Sequence, residues 1–394
     1  MGMQMNKMAA CLSRAALAVT LSASPWVAAQ DAPGTDVPEV DSPTEGRAAE
    51  VDVVPPVERK NAGEWVILPV PNASPAIGAG LQVMAARFFK ADAESQPSVV
   101  GAGGGYYSSD TWFAGAGGTY NFAADRWRIT GGVAYLDAKY DFYGIGDDAG
   151  DNGIAIPLQQ SGTAVFVKML RGFGDNWYAG VGYRYFDSKV GIRLSLPNFP
   201  ELEEAIRNGV RIVSSGPSVA VAYDTRDLTT NPRTGSYVTF DAIFPTNSFA
   251  SDEEYQRATV AANRYWSIGD RYVVAGRVSA CGASSDAPFF DLCFLGAGKD
   301  MRGYTAGRYQ DQTMVAAQAE LRIQFSPRWG GTVFGGLGQV APDFGAIRSS
   351  NWLPAGGVGV RWMAAPRNKV NIRADIAWGN GEDALFYLNI GEAF

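Results

Sequence analysis

Ala317-Gln318-Ala319-Glu320-Leu321-Arg322-Ile323-Gln324-Phe325 alternates apolar and polar residues without a break. Successive side chains of an extended chain point to opposite sides, so Ala317, Ala319, Leu321, Ile323 and Phe325 share one face and the polar four share the other. The period returns in Val370, Ile372, Ala374, Ile376 and Trp378 against Asn371, Arg373, Asp375 and Ala377. It returns again in Ala179, Val181, Tyr183 and Tyr185 against Gly180, Gly182 and Arg184. A soluble sandwich alternates too, so two further features decide. Charges stand in mid-strand on the polar face, at Lys139, Arg184, Arg264, Arg277, Glu320, Arg361 and Arg373, where a sandwich would place its core. The opposite face is continuously apolar with aromatics toward strand ends, as lipid outside and water inside require.

Sixteen such segments run from 64–71 to 384–394, each with length for a membrane strand of about 9–11 residues plus a connection. Long joins (143–158, 187–211, 281–311, 341–354) alternate with short ones (123–125, 172–176, 267–271, 326–328), although some joins on the long side are also tight. The expectation is an all-β fold, a 16-stranded transmembrane antiparallel β-barrel of outer-membrane type spanning 63–394, with both termini in the periplasm. Pro69 and Pro71 restrict the first strand to an edge.

Composition narrows the chemistry. The 394 residues include 33 Lys+Arg, 40 Asp+Glu, 47 Gly, three Cys and no His, for a formal charge of −7. Without imidazole there is no Ser–His or Cys–His nucleophile pair and no His metal site. An acidic balance lacks the clustered Lys and Arg of a nucleic-acid surface. Catalytic residues, metal and cofactor are therefore all expected to be none. The Gly runs 101–105 and 115–118 lack the Lys-Ser/Thr and helix of a phosphate loop, and read instead as a thinned wall or room for an inserted loop. Asp224 and Asp227 read as turn residues capping their own backbone.

Residues 1–29 read as a cleaved signal peptide: Lys7 and Arg14, an apolar run, then Val27-Ala28-Ala29. Their uncharged stretch is shorter than the about 20 residues of a spanning helix. Residues 30–62, with Pro33, Pro38, Pro43, Pro55 and Pro56, read as a disordered periplasmic linker. The expected location is the outer membrane. At the other end Phe386, Leu388 and Ile390 share a face and Phe394 closes the chain. This resembles the recognition signal by which outer-membrane assembly machinery inserts bacterial barrels.

Leu295-Gly296-Ala297-Gly298-Lys299-Asp300-Met301-Arg302-Gly303-Tyr304 resembles the V-R-G-F/Y loop of the BamA/TamA-like outer-membrane barrels, also called the bacterial surface antigen family. Asp224-Thr225-Arg226-Asp227 with Asn231-Pro232-Arg233-Thr234-Gly235 resembles that family's periplasmic turn. Leu68-Pro69 through Ser74-Pro75 to Gly78 resembles the opening of members without helper domains, and 386–394 the family's closing strand. The resemblance covers 63–394. It implies a sixth outer loop folded into the lumen, with Arg302 clamping one carboxylate bidentately and Glu320 the expected partner. Gly303 would permit the tight backbone and Tyr304 would wedge against the wall. Where the family often has F-x-D-x-G, this chain has Phe334-Gly335-Gly336-Leu337-Gly338, so Gly336 replaces the carboxylate and the lock is weaker or leans on Glu320. Arg361 and Asp375 read as ordinary wall charges. Cys281 and Cys293 lie in the same loop, as a disulfide or a free pair; residues 201–208, ended by Gly209, read as a short helix.

The segment 30–62 is shorter than one of the family's periplasmic helper domains, so the resemblance implies a member without them. It also implies assembly or translocation: a gap between first and last strands through which a protein or lipid client crosses or enters the membrane. A passive pore is the alternative. Outer-membrane lipid is an expected partner, and self-association stays open.

Overall fold

The computed structural model describes residues 63–74, 77–152, 155–195, 200–296, 299–348, 351–381 and 383–394; the expected signal peptide and linker lie outside them. In chain order the strands are β1 (Glu64–Ser74), β2 (Gly78–Phe89), β3 (Ser98–Tyr107), β4 (Trp112–Phe122), β5 (Trp127–Phe142), β6 (Ile156–Phe173), β7 (Trp177–Ile192), β8 (Val210–Asp224), β9 (Gly235–Ile243), β10 (Arg257–Ile268) and β11 (Tyr272–Ala283). The two-residue β12 (Cys293–Phe294) and β13 (Gln310–Asp311) follow, then β14 (Thr313–Gln324), β15 (Trp329–Ala341), β16 (Leu353–Ala365), β17 (Val370–Gly379) and β18 (Leu385–Ile390). All except β12 and β13 form one antiparallel sheet of sixteen strands, each paired with its neighbours in sequence. The sheet curls into a nearly closed barrel.

The alternating pattern sets its two faces. Val133, Val181, Val278, Leu321, Val333 and Val360 point outward and are exposed, a belt that suits lipid. Among the described residues no helix is long and apolar enough to cross a membrane. Arg184, Arg277, Glu320, Arg361 and Arg373 point inward. Lys139 and Arg264 do not: they share the outward parity of Tyr135 and Trp266. Lys139 pairs with Asp110 at 2.9 Å, and Arg264 reaches Ser236 at 2.8 Å beside the Trp266 ring. Both sit near strand ends, where a long side chain on the lipid face can carry its charge to water.

Two further expectations change. The last strand ends at Ile390, because Gly391 takes φ +75° and turns the chain away. Phe394 therefore leaves the strand and packs half-buried beside Tyr265, Val273 and Ala275. Asp224 accepts from Arg128 at 2.7 Å and from Arg226 at 2.8 Å, so it does more than cap a turn; Asp227 does cap, accepting from the backbone of Arg233 and Thr234. The helix before Gly209 runs Pro200–Asn208.

The ends of the sheet do not pair with each other. Among the described residues β1 is paired in a backbone ladder only with β2, and β18 only with β17. Pro69 and Pro71 thus lie in an edge strand, where a missing N–H is tolerated. On the short-turn rim Val66, Phe88, Val370 and Ile390 cover the seam with one apolar cluster. Glu64 also accepts from the backbone of Arg367 at 3.3 Å and of Asn368 at 3.1 Å. The connection 225–234, long for this rim, lies across the mouth: Thr229 N donates to Gln96, Thr230 Oγ1 to the Asn368 carbonyl at 2.6 Å, and Arg322 to the Pro232 carbonyl.

Candidate functional site

The loop between β11 and β14 enters the barrel. Its first part is apolar, and Phe289, Phe290 and Leu292 pack on Leu136, Tyr140, Phe186 and Ile212 of the inner wall. Asp291, between Phe290 and Leu292, is buried among them, with Arg184 donating to it at 2.7 Å and the Tyr255 hydroxyl donating as well. Cys293 is joined to Cys281 of β11 by a disulfide with Cα atoms 5.7 Å apart. The chain then goes out and back, with Cys293 opposite Asp311, Phe294 opposite Gln310, and Leu295 N donating to Tyr309 O. Asp300 accepts two bonds from Arg277, at 2.8 and 3.0 Å, and one from Ser279 at 2.6 Å. Burial works to raise its pKa, but the Arg277 charge and these bonds outweigh that and hold the carboxyl below the ordinary range.

Arg302 stands at the tip and is 1% exposed. Its fork is divided. Nη2 donates to Glu320 Oε2 at 2.5 Å, and Nη1 to Asp375 Oδ2 at 2.5 Å. The guanidinium lies 3.5 Å from the centre of the Phe334 ring, a stacked cation–π contact. The expected bidentate grip on Glu320 alone is therefore corrected, and so is the reading of Arg361 and Asp375 as ordinary wall charges. Arg361 donates to Asp375 at 2.5 Å and to Glu392 at 2.8 Å, while Arg322 donates to Glu320 at 2.8 Å and Arg373 to Asp375 at 3.1 Å. Four guanidinium groups and three carboxylates form one buried network, in which each carboxylate meets more than one cation.

Glycines make the space for it. A β-carbon at Gly357 would stand 2.5 Å from the Phe334 ring, and one at Gly359 would stand 2.0 Å from the Asp375 carboxylate. Gly303 takes φ +114°, and a β-carbon there would meet the Trp378 backbone at 2.8 Å, so the loop lies against β17 only because that position is bare. At Gly336 a β-carbon would be 2.7 Å from Gln318 Cγ, and Gln318 instead uses that room to donate to the Lys299 carbonyl at 2.7 Å. The second carboxylate on Arg302 comes from Asp375 on β17.

Tyr304 donates to the Pro354 carbonyl at 2.6 Å and stands edge-on to Tyr309. Gly303 N donates to the Tyr387 hydroxyl at 2.9 Å, which ties the loop to β18 itself. Among the C-terminal residues, Phe386 is exposed outward and Ile390 is buried at the seam. Leu388 lies between them, half-buried. Phe394 accepts through its carbonyl from Arg322 at 2.8 Å. Among the described residues no group of His, Cys, Asp and Glu is placed to hold a metal ion.

Residues 108–394 match the model of the Omp85 superfamily domain. No curated protein sequence matches the chain. The fold is similar to BamA from Haemophilus ducreyi lacking POTRA domains 1–3, with 16% identity, TM-score 0.51, and 84% of this chain and 69% of that one covered. It is similar also to CdiB from Acinetobacter baumannii (10%, TM-score 0.54, 84% and 60%) and to CdiB from Escherichia coli (11%, TM-score 0.55, 84% and 62%). The chain thus spans about three fifths of the length of either CdiB. Identities this low carry fold alone, whereas the family model covers most of the sequence. A sixteen-stranded outer-membrane barrel with an arginine-anchored loop in its lumen, matched by that model from residue 108 to its last residue, belongs to the Omp85 superfamily.

Proposed function

We propose that this barrel assists the insertion or translocation of protein or lipid clients at the outer membrane, through a lateral opening between β1 and β18. The observation that carries the reading is the seam. Among the described residues fifteen neighbouring strand pairs are in hydrogen-bonded register, and the sixteenth junction, β1 to β18, has no ladder. An unpaired strand edge offers N–H and C=O groups to any arriving strand. Here β18 gives six residues to its pairing with β17. Apolar contacts and the hydrogen bonds of Glu64 hold the junction, so opening it breaks few directional bonds. Residues 1–29 would direct export, 30–62 would link, and 386–394 would present the chain to the assembly machinery. Catalysis forms no part of this reading.

A passive pore is disfavoured by the loop that occupies the lumen and is anchored through Asp291, Asp300 and Arg302. Val66 and Ile390 share the seam cluster, so a Val66→Cys/Ile390→Cys pair should bridge it. In proteoliposomes the bridged protein should lose stimulation of client-barrel insertion, and reductant should restore it, with reductant-treated wild type as control for the native disulfide. Undiminished insertion by the bridged protein, or stable ion-selective conductance without any effect on clients, overturns the proposal.

A further inference from the structure

A cavity of about 510 Å³ lies inside the barrel against Phe290 and Asp291 of the inserted loop. That volume falls in the range of about 300–1,000 Å³ occupied by small-molecule sites. Its wall is largely apolar and bare, formed by Gly103, Gly115, Gly132, Ala134, Ala164 and Phe166. The bareness has its own cause: a β-carbon at Gly103 would stand 2.8 Å from the Val83 carbonyl oxygen, and one at Gly115 would stand 2.9 Å from that of Val133. Close strands thus exclude side chains and leave room on the lumen side.

The charges around this chamber do not balance. Lys168 pairs with Asp241 at 2.6 Å and Arg184 with Asp291. Arg257 also lines the chamber, and among the described residues its side chain makes no ion pair or hydrogen bond; its Nε is shielded from solvent and unsatisfied. Asp291 lines the same chamber, but it already accepts from Arg184, Tyr255 and Ser214. Arg257 is half-buried with its Nε shut off from water, and a guanidinium that must share its one near carboxylate with Arg184 favours a further anion in the chamber.

We infer that the chamber binds an anionic amphiphile, its carboxylate or phosphate on Arg257 and its apolar body along the Gly103–Phe166 wall. The inference goes beyond the seam and does not depend on it. Native mass spectrometry of the full chain in non-ionic detergent tests it, with palmitate, hexadecyl phosphate, inorganic phosphate and hexadecyltrimethylammonium as probes. One palmitate or hexadecyl phosphate should be retained per barrel, the better retained of the two naming the head group. Arg257→Gln should weaken retention about tenfold, as loss of one charge-assisted contact does, while Arg257→Lys keeps most of it. Ala164→Phe, which fills the chamber and leaves the charge in place, should also abolish retention. Equal retention by Arg257→Gln, equal retention of the cationic amphiphile, or inorganic phosphate binding as well as the alkyl phosphate overturns the inference.

Discussion

Arg302 is held by two strands at once. β14 supplies Glu320 and β17 supplies Asp375, with Phe334 of β15 beneath the guanidinium. Removing the side chain leaves both carboxylates buried, yet each retains other arginines, so the loss should fall below that of an orphaned pair. Arg302→Ala should destabilise the barrel by about 2–3 kcal/mol, against about 3–5 for a fully broken buried pair. Arg302→Lys should recover little, since an ammonium cannot span both acceptors with a planar fork. Asp375→Asn should cost as much as Glu320→Gln in urea unfolding in detergent; a neutral Asp375→Asn would show that one carboxylate suffices. Arg302, Gly303 and Tyr304 were legible through the resemblance of their loop to the family's V-R-G-F/Y motif. Asp375 was not. A lone acid on an alternating strand announces its face, but its height in the barrel depends on the register of three intervening strand junctions.

The inserted loop is an element with several fastenings, of which the sequence exposed the last. The acids at 291 and 300 carry no motif, and only the buried partners Arg184 and Arg277 distinguish them from solvated loop residues. The Asp300 fastening has a definite pH dependence. Its carboxyl is held below the ordinary range, so its contribution is complete above the usual aspartate value of about 3.9 and is lost as pH falls through the depressed one. Hydrogen exchange in 284–312, corrected for intrinsic rates, should therefore be slower in wild type than in Asp300→Asn at neutral pH, and the difference should close in acid. A difference that persists unchanged into acid would mean that the side chain's shape matters and its charge does not. Alternation along β5 and β10 was legible in the same partial way: it separates two faces, but Lys139 and Arg264 show that a charge near a strand end need not mark the wet one.

At the scale of the whole molecule the strand count was legible, because period and connection length are both written along the chain. The closure was not. The turn 225–234 crosses the mouth to reach Asn368, and Asn368 is the residue that Glu64 of β1 also grips. The turn and the seam are thus joined through one side-chain and backbone node. Thr230→Val should weaken that node, and spin labels on 66 and 390 should report a broader distance distribution than in the parent barrel; an unchanged distribution would uncouple the turn from the seam. The two sides of the seam are also unequally restrained. On one side Tyr387 receives the Gly303 amide, and Glu392 beyond it is buried on Arg361. On the other, Glu64 has only the rim. A gate leaf bolted from indoors stays with its post, so in the opening proposed above the leaf to swing would be β1, and a newcomer's first hydrogen bonds would fall to the margin it exposes.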